Sequence, residues 1–204
     1  MFHFPIRTIL VLSLVCLAAP VRGADESPVG KKIDNFSLND VRGKVHSLDD
    51  YQDSKAVVVA FIGIECPLAK LYVSRLEAMA AEFGDQGVTV IAIDSNRQDS
   101  LTELAGFATR HKLTFPVLKD PDNKVADLFD AKRTPSAYLL DSNGVVQYYG
   151  RIDDQYGQHM TEVGRRISYQ HTAPRRRDLA IALEETLAGK TISKPLTEAV
   201  GCLI

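Results

Sequence analysis

The chain has 204 residues, 45% hydrophobic and 25% charged, which is enough for one well-buried globular domain with a small appendage. Three Cys, nine Pro and thirteen Gly exclude a disulfide-dense, collagen-like or disordered chain. A net charge of −2 gives no reason to expect nucleic acid or another polyanion as partner.

Residues 1–23 follow the plan of a secretory signal. Arg7 gives a short basic start, Ile9 to Ala19 an apolar stretch, and Val21 and Gly23 the small residues that signal peptidase needs. The apolar stretch is shorter than the ~20 residues of a membrane span. The protein is therefore expected to be exported, to the periplasm or outside the cell. Cleavage removes Cys16 and leaves Cys66 and Cys202 in a compartment where disulfides form. Residues 24–190 are then the domain and 191–204 a tail carrying Cys202.

Asn35–Leu38 and Val45–Leu48 flank Arg42-Gly43-Lys44 as a small hairpin. The β-branched run Ala56–Ile62 predicts a strand buried on both faces. From Pro67 the apolar period lengthens through Leu68, Leu71, Tyr72, Leu76, Met79, Ala80 and Phe83, predicting a helix of about five turns that Gly84 closes. A second strand runs from Val88 to Ile93. A helix follows from about Leu101 to Arg110, with Ser100 and Glu103 as a capping box. Phe115–Leu118 predicts a short strand and Asn123–Phe129 a short helix. Ala137–Leu140 and Val145–Tyr149 form a hairpin about Ser142-Asn143-Gly144. Residues 151–176 read as a long polar loop, too long for an ordinary connection. A last helix carries Leu179, Leu183 and Leu187. This order predicts a three-layer α/β/α domain.

The sharpest local feature is Gly63-Ile64-Glu65-Cys66-Pro67, where a buried strand ends and a cysteine stands at the start of the next helix. Helix N-terminal amides stabilise an anion, so a thiolate at Cys66 is expected at lowered pKa. Pro67 fits the first helical position, where an N–H would be unpaired anyway. The second feature is Arg133-Thr134-Pro135 just before a strand, a candidate cis-proline loop. Asp94-Ser95-Asn96 ends a strand where α/β folds place site loops.

These two features together resemble the thioredoxin fold and, within it, the redoxin or peroxiredoxin-like group related to alkyl hydroperoxide reductases and thiol-specific antioxidants. The resemblance covers residues 28–150 and implies a thioredoxin-like α/β/α sandwich with a central mixed β-sheet. Cys66 corresponds to the family's active cysteine and Thr134-Pro135 to its cis-proline loop, with Pro67 and Arg133 as neighbours. It implies thiol-based redox chemistry on a peroxide or a thiol/disulfide protein, with an external thiol as reductant and no cofactor. The chain departs from the pattern at three positions. Ala69 stands where thioredoxins have a second cysteine, and Gly63 and Val59 stand where peroxiredoxins have Thr or Ser and Pro.

For Cys202 three readings stand open. It is a resolving thiol on a mobile tail, acting within the chain or across a homodimer. It is half of a static staple with Cys66, worth about 4–5 kcal/mol. Or it is unrelated to Cys66. His46, His111, His159 and His171 show no metal-ligand spacing, so no metal is expected, though His159 or His171 in the 151–176 loop can serve Cys66 as a base. Arg175-Arg176-Arg177 lies in the first turn of the last helix, against its dipole. The competing function class is a non-enzymatic thioredoxin-fold module that binds a protein or a metal, copper included.

Overall fold

The computed structural model describes residues 27–204, together with Met1. The signal read over 1–23, and Cys16 with it, lies outside the described residues. Strands β1 (Ser37–Asp40) and β2 (Val45–Ser47) form the expected hairpin, and a 3₁₀ turn follows at Leu48–Tyr51. β3 (Ala56–Ile62) leads into α1 (Pro67–Phe83), and β4 (Val88–Asp94) into α2 (Leu101–Arg110). The Ser100–Glu103 capping box is present, with the Glu103 amide donating to Ser100 Oγ at 3.3 Å.

β5 spans Val117–Lys119, two residues later than expected, because Pro116 has no N–H and only its carbonyl joins the ladder, accepting from Ala92. α3 (Lys124–Phe129) starts one residue late, since Asn123 is left-handed at φ 58. β6 (Arg133–Thr134) precedes a cis Thr134–Pro135 bond, and β7 (Ser136–Asp141) and β8 (Val146–Gly150) form the second hairpin. Asp141 Oδ1 closes its turn by accepting from the amides of Asn143 and Val145.

The main sheet has the order β2-β1-β5-β4-β3-β7-β8 and is mixed: β3, β4 and β5 are parallel, while β1 and β7 run against their neighbours. All seven residues of β3 are buried, and they divide by parity. Ala56, Val58, Ala60 and Ile62 face a core with α1, α2 and α4 (Asp178–Leu187). Val57, Val59 and Phe61 face one with α3, Ile33, Phe36 and Leu48. Burying each larger side chain contributes about 1.5–3 kcal/mol, and this two-sided packing fixes the end of β3, hence the place of Cys66. The fold is the thioredoxin-like α/β/α sandwich with a central mixed β-sheet.

Two expectations are corrected. The 151–176 segment is not a plain loop: β9 (Tyr156–Met160) and β10 (Arg166–Gln170) pair antiparallel within it. Its strands show no apolar alternation because most of the hairpin is exposed, and its cross-strand support is the Tyr169 ring lying over Gly157. The arginines do not occupy the first turn of α4. Asp178 is the first helical residue and Arg177 the cap. Buried Asp178 accepts from Arg151 Nε at 2.7 Å and Arg176 Nε at 2.8 Å. Within the basic run, Arg176 thus joins Arg151 as counter-charge of a buried carboxylate, while Arg177 pairs with Glu82 on α1. Asp178→Ala should cost about 3 kcal/mol, because both guanidiniums lose a desolvated partner. Urea unfolding measures it, and a loss below ~1 kcal/mol would show the trio to be no stronger than a surface pair.

Candidate functional site

Cys66 sits where β3 and the turn after it deliver the chain to α1. It is the N-cap residue with extended backbone, Pro67 is the first helical residue, and the first turn holds no acidic side chain to offset the helix dipole. The thiol is 2% exposed and donates to the Thr134 carbonyl at 3.1 Å. Burial pushes the Cys66 thiol up. Against this, the Cys202 thiol and the amides of Ala69 and Cys202 pull it down, and the net position is below that of an ordinary thiol. These donors favour the deprotonated sulfur against its burial.

The tail is docked on the domain. β11 (Cys202–Leu203) pairs antiparallel with β6, Cys202 opposite Thr134 and Leu203 opposite Arg133. Arg133 Nη1 donates to the Gly201 carbonyl at 2.9 Å, and the Ile204 amide to the Lys132 carbonyl. Further back, Thr197 is tied to β8. Its amide donates to the Tyr149 carbonyl, and its hydroxyl meets Tyr148 Oη at 2.7 Å and accepts from the Arg151 amide at 3.0 Å. Gly201 makes the docking sterically feasible, since a Cβ there would lie 2.0 Å from the Thr134 carbonyl oxygen.

The consequence is a pair of unlike thiols in one chain. Cys202 is exposed, and its hydrogen bond to Cys66, with burial and the negative sulfur beside it, pushes it up to about 11, although Arg133 pulls the other way. At neutral pH Cys202 therefore keeps its proton and donates it toward the Cys66 sulfur.

Cys66, Pro67, Arg133, Thr134, Pro135 and Cys202 converge on one site. The four described histidines are engaged elsewhere: His46 between Asp40 and Tyr51, His111 against Phe107, and His159 and His171 on Tyr169. The role of Thr134 Oγ1 was not legible in the sequence. It lies 3.1 Å from where a Gly63 Cβ would be, so a hydroxyl stands beside the position where the peroxiredoxin pattern places Thr or Ser. Only the three-dimensional approach of β6 to the end of β3 could reveal it.

A cysteine of lowered pKa at a helix N-terminus beside a cis-proline loop, on this mixed sheet, defines a thioredoxin-like redoxin. The chain belongs to the AhpC/TSA family, matched over residues 29–149, and is accordingly a thiol-based oxidoreductase; Cys202 and its tail lie beyond the matched residues. It is 29% identical over 147 residues to the thiol-disulfide oxidoreductase ResA of Bacillus subtilis (strain 168), covering 69% of this chain and 80% of that protein. An uncharacterized conserved protein from Geobacillus kaustophilus superimposes with a TM-score of 0.76 at 28% identity, over 87% of this chain and 91% of that one. A hypothetical protein from Sinorhizobium meliloti 1021 does so at 0.75 and 28% identity, over 88% and 95%.

Two measurements check the geometry. Cys202→Ala removes one donor to the Cys66 thiolate, so the pH at which Cys66 ionises, followed by thiolate absorbance, should rise; no change would remove Cys202 from the sulfur's surroundings. Gly201→Ala should undock the tail and speed alkylation of Cys66 by roughly tenfold, because the covering strand is lost while β3 and α1 stay in place.

Proposed function

We propose that the protein is an exported thiol-disulfide oxidoreductase whose redox couple is Cys66 and Cys202, one on the core of the domain and one on its tail. The single observation that carries this is the register that sets Cys202 against Thr134, whose carbonyl holds the Cys66 thiol. The unlike exposure and acidity of the two sulfurs assign their parts. In the oxidised form, an external thiolate attacks the exposed Cys202 sulfur, forming a mixed disulfide there. The Cys66–Cys202 bond breaks and Cys66 departs as the thiolate, the better leaving group because its pKa is lowered. A second external thiolate attacks the external sulfur of the mixed disulfide and releases Cys202, which takes up a proton. The protein disulfide is reduced to two thiols and two external thiols are oxidised to one disulfide. The reverse course oxidises the protein at the expense of a substrate disulfide.

Thiol or disulfide proteins and an external thiol reductant are the partners this chemistry needs. The juxtaposition lies within one chain, so it requires no second copy. Export rests on residues 1–23; among the described residues, no helix is long and apolar enough to cross a membrane. Reduction of peroxide at Cys66 is the second reading, favoured by the Thr134 hydroxyl beside Gly63 and opposed by the burial of the sulfur under the tail.

Trapping separates the readings. With a small aromatic disulfide, Cys66→Ser should accumulate a stable mixed disulfide at Cys202, whereas Cys202→Ser should accumulate little. Non-reducing peptide mapping of the wild type after mild oxidation should yield a Cys66–Cys202 peptide. Absence of that peptide, or a sulfenate at Cys66 formed equally fast with and without Cys202, would overturn the couple.

A further inference from the structure

The C-terminal end of β4 carries buried carboxyls that the exchange chemistry leaves unused. Asp94 is 0% and Asp99 2% exposed, and in each carboxyl one oxygen is fully supplied while the other is bare. Asp94 Oδ1 accepts from Lys119 Nζ at 2.6 Å and from the Asn96 amide at 3.2 Å. Asp99 Oδ2 accepts from the Ile64 amide at 2.9 Å and from Asn96 Nδ2 at 3.2 Å. Asp94 Oδ2 and Asp99 Oδ1 are buried without any donor. Asn96 joins the two carboxyls, its backbone amide donating to one and its Nδ2 to the other, and carboxyls held together without further donors can bond only by sharing a proton. One proton shared between the two carboxyls leaves a single negative charge, which Lys119 balances.

The groups around this pair come from several elements, and the charged ones are Lys119 and, at the start of α2, Glu103, whose charge Asp99 opposes. Lys119 reaches it from β5, while Asn96 and Asp99 belong to the loop after β4 and Ile64 to the turn after β3. Asp120, the next acid along, is turned away: its Oδ2 accepts from Ser95 Oγ and the amides of Val125 and Ala126. Burial first, and then the bond to Asp99, pushes Asp94 up to about 7 against the pull of Lys119.

The same unit touches the turn that presents the reactive cysteine. Ile64 lies two residues before Cys66, and the Cys66 amide closes the turn by donating to the Gly63 carbonyl at 3.1 Å. Asn96 packs so closely on Gly63 that a Cβ there would lie 2.0 Å from its Nδ2. Two successive residues of the turn are therefore held from the carboxyl pair, one by hydrogen bond and one by contact.

We propose that Asp99 is the positioning residue of the Gly63–Cys66 turn, locked in place by a proton it shares with Asp94. The inference rests on the reading of Cys66 as the reacting thiol. Loss of the shared proton leaves two buried carboxylates with one lysine, on the Asp94 side, to balance them, loosens Asp99 from Ile64, and adds negative charge near the Cys66 turn. Both effects disfavour the Cys66 thiolate. The sign follows from the raised carboxyl: the lock is complete in mildly acidic solution and is lost as pH rises through about 7.

The test follows the Ile64 amide by NMR from mildly acidic to mildly alkaline pH, alongside the rate of Cys66 alkylation by iodoacetamide in the full chain. In the wild type both should show an inflection near 7, with alkylation above it a few-fold slower than a single thiol would give. Asp94→Asn, whose amide donates permanently to Asp99, should abolish both inflections while the protein stays folded. Glu65→Gln, an exposed acid beside the cysteine, should leave both in place. A pH-independent Ile64 amide in the wild type, or an inflection that survives Asp94→Asn, would overturn the proposal. Titration of Ile64 that Asp94→Asn removes, with Cys66 inert at every pH, would uphold the anchor and overturn the thiol chemistry instead.

Discussion

The pairing of Cys202–Leu203 with Arg133–Thr134 brings together three parts of the chain that are far apart in sequence. Thr134 meets both cysteines, its carbonyl holding the Cys66 sulfur and its backbone in register with Cys202. Without that short ladder Cys66 would be a thiol at a helix start with a carbonyl beside it. With it, the sulfur gains donors from Cys202 that stabilise its anion and also loses contact with solvent. Acidity and accessibility are thus set by one contact and in opposite directions: the strand that makes the thiolate favourable also covers it.

Buried charge elsewhere in the molecule follows a common rule. Asp178 is met by two guanidiniums, Asp120 by two amides and a hydroxyl, and Asp153 by Arg75 and Tyr72. Each of these carboxylates ties separate elements together, since a desolvated carboxylate is tolerable only where donors converge on it. Arg75 lies over the Tyr72 ring as well as bonding Asp153 and Gln155, which fastens the chain after β8 to α1. The Asp94–Asp99 pair is the exception, with more acceptors than protein donors.

The legible parts of the sequence were those whose burial is one-dimensional. β3 and β4 announce themselves as β-branched runs, and α1 by its period, because each packs along its whole length. The cysteine at the junction and the proline after Thr134 were legible for the same reason, being fixed by the elements they join. The β9–β10 hairpin was not legible, since a ribbon that buries little has no apolar alternation to show. The docking of the tail was invisible too. Gly201 and Arg133 are ordinary residues in isolation, and only their meeting explains them. Arg175–Arg177 misled because their partners lie apart in sequence: Arg176 meets a carboxylate inside the core that Arg151 also reaches, and Arg177 pairs with Glu82 on α1.

The tail is fastened at two independent points, and they divide its behaviour. Thr197 is pinned to β8 by hydrogen bonds that involve neither cysteine, while Cys202 is held to β6 by a ladder only two residues long. If the outer ladder opens, the sulfur remains on a leash of five residues, which at ~3.4 Å per residue reaches no farther than about 17 Å from its anchor. Cys202 can therefore swing out to meet a bulky partner and still present itself to Cys66 at high effective concentration.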